Sequence, residues 1–239
     1  MTKLTKLLQK SKKGEHMEEI RNLNNLNRGV HKQWIWGNKD NYYRSCDYFQ
    51  KINYCIQDLN AEIKNLSEPT MKEVVYIIAL IDWICEAVEA IPKILKSGVM
   101  NNYIYKKDEC VLQSIKFFKA IRSFVVAHPL STDRHKEYGF DGDMICIDIR
   151  SKTSIITKTF SHNSDWFHLD FDGLKKEAKE QDADFVLYVY SQKADGMQLF
   201  KYIGADFQDL YHVAELHIEK LYDLDKYLGK LKRKDSEVQ

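Results

Sequence analysis

The stretch VVYIIALIDWICEAVEAI, residues 74–91, decides the fold. A run of this length and apolarity approaches the roughly 20 residues that cross a bilayer. Asp82, Glu86 and Glu89 interrupt it, and an acid at mid-bilayer costs about 3 kcal/mol. The segment therefore reads as a core helix, and no membrane span is expected. Pro69 disfavours helix at the residue before it, while Thr70 and Glu73 have the spacing of a capping box. The helix is predicted over 71–96, with Pro92 kinking it or ending its regular part.

Its neighbours have the same character. Tyr48, Ile52, Cys55, Ile56, Leu59 and Ile63 recur at three-four spacing and predict a helix over 42–66. Val111, Leu112, Ile115, Phe118, Ile121, Phe124 and Val125 predict another over 108–127. Ile20, Leu23 and Leu26 suggest a weaker helix over 15–27. GVHKQWIWGNKDN, residues 29–41, reads as a loop whose two tryptophans pack against the core. Long helices with short connections predict an antiparallel bundle.

Beyond residue 130 the pattern changes. MICIDIR (144–150), TSIITKTF (153–160) and ADFVLYVYS (183–191) read as strands, and DFDGLKKEAKEQ (170–181) as a short helix capped by Asp172. DLYHVAELHIEKLYDLDKYLGKL, residues 209–231, is a clear amphipathic helix. The expected class is α+β. A helical bundle of four or more helices over 1–130 precedes an α+β region over 131–239, with three to four strands and a long C-terminal helix. Whether that helix packs back on the bundle is left open by the pattern.

Lys+Arg 36 against Asp+Glu 35 gives a net charge of +1, so no global basic field advertises nucleic acid. Five lysines and no acid fall in the first thirteen residues, which lack the apolar stretch of a secretory leader. The five cysteines are scattered without a paired motif and read as reduced thiols of a cytoplasmic protein.

Within IRSFVVAHP, residues 121–129, Arg122 and His128 are separated by five residues, and Pro129 follows. The arginine, a small polar residue, an apolar run and a histidine late in a helical array resemble the HEPN superfamily. Its signature is an arginine and a histidine with four to six residues between them. The resemblance covers the helical half, and Ser123 stands where the family often has Asn, Asp or His. It implies a metal-independent endoribonuclease of a defence or toxin–antitoxin setting, working as a homodimer, or a non-catalytic member of the same fold.

The residue types suit that chemistry. Histidine, with a pKa near 6.5, can take or give a proton near neutrality. Arginine stays charged and grips two phosphoryl oxygens. Arg122 and His128 are thus the candidate catalytic pair with Ser123 as helper. Arg134, His135 and Lys136 form a candidate cationic rim for the RNA backbone. On an ideal helix the pair would lie about 120° apart, although Pro129 pushes His128 out of the helical region. The competing reading is structural, with His128 bonding the last carbonyls of its helix. The nuclease reading also expects an antitoxin or other protein partner, and the alternative function is a non-catalytic dimeric module that binds nucleotides or a protein.

Other constellations are weaker. His162, His168 and Asp170 could ligate a metal, and on a strand the latter two would share a face. They lack a clear ligand spacing, so no metal and no cofactor are expected. His212 and His217 read as surface or boundary residues of an amphipathic helix.

Overall fold

A computed structural model describes residues 17–26, 29–63, 66, 69–103, 109–127, 143–150, 165–176, 183–192 and 198–233. Four α-helices carry the described core: α1 (Lys39–Glu62), α2 (Met71–Ala90), α3 (Glu109–Arg122) and α4 (Phe207–Lys230). The strands are β1 (Asp143–Arg150), β2 (Asp165–Asp170), β3 (Gly173–Lys176), β4 (Phe185–Gln192) and β5 (Gln198–Ala205). The chain is mainly helical with a small sheet and a long C-terminal helix.

Helix α2 forms as its sequence dictates. The Thr70 hydroxyl accepts the Glu73 N–H while the Glu73 carboxylate accepts the Thr70 N–H, satisfying two N-terminal groups reciprocally. Val74, Ile77, Ile78, Ile81 and Ile84 are fully buried at helical spacing. Pro92 cannot donate to the helical ladder, and the chain tightens into a 3-10 turn over Ile91–Ile94. Helix α1 starts at Asn38, whose side chain accepts the Asn41 N–H. Just ahead of α1, Trp36 is wholly buried and its indole donates to the Val30 carbonyl, while Trp34 is partly buried against the core.

Helix α3 passes into a π-helical turn over Ser123–Ala127. Straight α-helical projection therefore stops at Arg122.

Helix α4 packs against α2 and α3, which resolves where the C-terminal helix goes. One continuous apolar cluster joins the helices to Phe185, Leu187 and Ile203 of the sheet. Polar contacts fasten α4 along its length. Tyr211 donates its hydroxyl to the Leu59 carbonyl at 2.8 Å, and Tyr222 to the Asn22 carbonyl at 2.6 Å. The buried Asp225 accepts the N–H groups of Gly29 and Val30 at 2.9 Å each. Lys32 donates to the carbonyls of Leu228, Gly229 and Leu231, where a cation meets the free carbonyls of a helix end. A Cβ at Gly29 would collide with the Asp225 carbonyl, so only glycine lets the two backbones approach this closely.

Three expectations are corrected. Residues 17–26 form no helix, although Ile20, Leu23 and Leu26 are buried as their apolarity requires. The asparagines of RNLNN compete with the helical backbone, and the side chains of Asn60 and Asn53 accept the N–H groups of Ile20 and Leu23 instead. The helix expected from Asp172 is a hairpin: Gly173 has φ 111°, and β3 pairs back on β2. This φ lies where side chains are disfavoured, so the chain reverses at the glycine. Strand β5 joins the sheet as well, so the described sheet has five strands rather than three to four. TSIITKTF, read as a strand, lies outside the described residues.

The sheet order is β1-β4-β5-β2-β3. Pairing is antiparallel throughout except between β2 and β5, which run parallel with His168 opposite Gly204. That parallel pair delivers the chain from β5 directly into the head of α4.

Candidate functional site

A cleft of about 910 Å³ opens between α2, α3 and α4. Asp82, Cys85, Glu86 and Glu89 repeat at three-four spacing along α2 and so share its cleft-facing side. Lys119 and Arg122 project from the last turn of α3, and His217 and Lys220 from the middle of α4. Leu112, Phe118, Leu221 and Leu224 give the cleft apolar walls.

The charges are largely paired across it. Arg122 Nε lies 3.0 Å from Asp82 Oδ2. Burial pushes the Asp82 carboxyl above its ordinary range, a shift that the Arg122 guanidinium reduces without cancelling. Lys220 Nζ donates to Glu89 Oε1 at 2.9 Å. Burial would raise Glu89, but the Lys220 hydrogen bond and charge outweigh it and hold the carboxyl below its usual value.

His217 is corrected from a surface to a core residue, with 1% of its side chain exposed. Its Nδ1 lies 2.8 Å from the Val213 carbonyl, which can only accept, so Nδ1 carries the proton. Burial pushes the imidazole below its ordinary pKa, and near neutrality it is uncharged. Its Nε2 is 3.9 Å from Glu89 Oε1, too far for a hydrogen bond, and the two do not form an ion pair in that state. Burial also raises the Cys85 thiol far above its usual range, so this cysteine is inert as a nucleophile.

Of the residues singled out by sequence, Arg122 lines the cleft, while Ser123 is buried at the start of the π-helical turn. His128, Arg134, His135 and Lys136 lie outside the described residues. Sequence reasoning did not anticipate Asp82, Glu89 and Lys220 as partners in this cleft. The signal was present in α2, where three acids interrupt an apolar helix on one side.

Comparison with models of known protein families, with curated proteins and with solved structures finds no match to this chain. The class that fold and cleft define is an α+β protein whose paired charges gather where three helices meet.

Proposed function

We propose that the cleft is the working site of an HEPN-like endoribonuclease that cuts RNA without a metal ion. The observation that supports this reading is the position of Arg122 on the cleft wall, with Lys119 one turn before it. Arg122 would hold the phosphoryl oxygens of the scissile phosphodiester. His128 would take the proton of the 2′-hydroxyl, whose oxygen then attacks phosphorus. The 5′-oxygen leaves and is protonated, giving a 2′,3′-cyclic phosphate and a 5′-hydroxyl. Ser123, being buried, would act as a positioning residue. Arg134, His135 and Lys136 would track the RNA backbone. A homodimer would bring a second pair to supply the acid for the leaving oxygen, in a defence or toxin-type role with an antitoxin as protein partner.

The phosphate must displace Asp82 from Arg122. The burial that raises the Asp82 carboxyl favours this, because a poorly solvated carboxylate gives way to a better anion. The test is cleavage of end-labelled RNA in the presence of chelator by the wild-type chain, His128→Ala and Arg122→Ala. Loss of about 10²-fold or more in each variant is expected. Cleavage by folded variants at the wild-type rate would reject the proposal.

The Arg122–Asp82 pair also favours a second reading, a non-catalytic module that binds nucleotides. It predicts saturable nucleotide binding and no cleavage by the wild-type protein.

A further inference from the structure

A second cluster of titratable groups lies away from the cleft, at the head of α4. The alternation of β2 buries Phe167 and Leu169 and turns His168 and Asp170 toward the opposite face. Because β2 and β5 run parallel in register, His168 sits beside Gly204, two residues before Asp206. The imidazole passes over Gly204: a Cβ there would stand 3.7 Å from His168 Nδ1. Nε2 is thereby aimed at Asp206, whose Oδ2 lies 3.2 Å away. Asp209, one turn into the helix, completes the group. One ligand atom from each of His168, Asp206 and Asp209 lies within 4.8 Å of the other two.

Asp206 is placed unlike an ordinary structural aspartate. It occupies the N-cap of α4, where an aspartate commonly accepts an N–H from the first turn, yet its side chain makes no capping hydrogen bond. Asp184 accepts the Phe207 N–H instead, at 3.0 Å. Asp206 Oδ1 is anchored by the Asp184 N–H at 3.2 Å, which leaves Oδ2 turned to the imidazole. The cap is thus supplied by a neighbour, and the residue built to cap is directed into the cluster.

We infer that His168, Asp206 and Asp209 form a binding site for one divalent transition-metal ion, with His168 Nε2 and a carboxylate oxygen from each aspartate as ligands. One imidazole nitrogen with two carboxylate oxygens suits zinc or manganese better than magnesium or calcium, which prefer all-oxygen shells. Metal–ligand bonds of about 2.1 Å put adjacent ligands about 3.0–3.4 Å apart, and the Nε2–Oδ2 separation of 3.2 Å falls there. Three protein ligands leave positions for water or a further anion. With no metal bound, the same geometry is a histidine hydrogen-bonded to Asp206, whose carboxylate raises the imidazole pKa.

The site is separate from the metal-independent cleavage assigned to the cleft and does not rest on it. The test uses the full chain, freed of metal by chelation and titrated calorimetrically with Zn(II) and, separately, Mn(II). Saturable binding of one ion per chain is expected for at least one of the two metals. Affinity should fall at least tenfold in Asp209→Asn and in His168→Gln, with circular dichroism unchanged. Asp209→Asn keeps side-chain shape, so it decides the outcome if the histidine variant does not fold. No saturable uptake of either ion below millimolar concentration overturns the inference, as does uptake that Asp209→Asn leaves at wild-type affinity.

Discussion

Helix α4 carries polar clusters at its head and at its middle that obey opposite rules. At the head, His168 faces Asp206 and Asp209, so among the described residues of this cluster two carboxylates meet one imidazole. At the middle, Glu89 is matched by Lys220, and His217 is withdrawn from charge by burial. Two histidines, one at the head of α4 and one within it, are consequently shifted in opposite directions, His168 upward by a carboxylate and His217 downward by desolvation. Burial sets the direction for His217, whereas for His168 the carboxylate hydrogen-bonded to Nε2 outweighs it. An unmatched cluster invites a ligand, whereas a matched one holds helices together until a competing ion arrives.

The contrast can be broken at several points, the largest effect first. The tail of α4 is matched most tightly, since the Asp225 carboxylate accepts two backbone N–H groups in the core. Asp225→Ala orphans both and should cost about 3 kcal/mol, read from urea unfolding. A loss under 1 kcal/mol would show that the anchor is dispensable. Gly29→Ala tests the same junction by backbone collision and should cost about 2 kcal/mol by the same measurement.

Next comes the pH dependence of His217. Its folded pKa lies below the unfolded value of 6.5, so the unfolded chain binds the proton more readily. The stabilising contribution is complete above pH 6.5 and is lost as pH falls from there through the folded pKa. Melting temperature should drop with acidification from that point, and His217→Gln should flatten this portion of the curve. A profile unchanged by the substitution would place the acid sensitivity elsewhere.

Within the cleft, Asp82→Asn removes the partner that phosphate must displace. Binding of inorganic phosphate or a short RNA should tighten several-fold, measured by calorimetry or filter binding, and weaker binding would make Asp82 part of the ligand site. The smallest effect belongs to Glu89→Gln. Glu89 is half exposed, so its pair with Lys220 contributes at most about 1 kcal/mol after solvent screening, detectable as a small shift in chemical unfolding.

Much of the helical frame was legible in the order of residues. Helices α1, α2 and α4 follow from apolar spacing, and the start of α2 from Thr70 and Glu73, because these signals act within a turn or two of chain. Residues 17–26 were misread for a physical reason: their apolar spacing is helical, but their backbone is satisfied by asparagines of α1, a contact invisible locally. Strand β3 was hidden because Leu174, Lys175 and Lys176 also suit a helix, and only the turn at Gly173 folds them back on β2. Strand β5 is held by neighbours on both sides, so sheet pairing outweighs its mixed sequence. The charged clusters divide in the same way. Arg122 was identified from its spacing to His128, while its partner Asp82 lies forty residues earlier and becomes adjacent only when α2 and α3 pack.

By itself the sequence determined where helices begin and which faces are apolar, since capping and periodicity depend on residues a few positions apart. It also supplied the arginine–histidine spacing on which the nuclease proposal stands. Tertiary structure alone decided that α4 returns against α2 and α3, that Asp82 meets Arg122, and that His168 meets Asp206 and Asp209. The first two depend on helix packing and the third on the parallel pairing of β2 with β5, each joining side chains tens of residues apart in the chain. No local pattern encodes such distances.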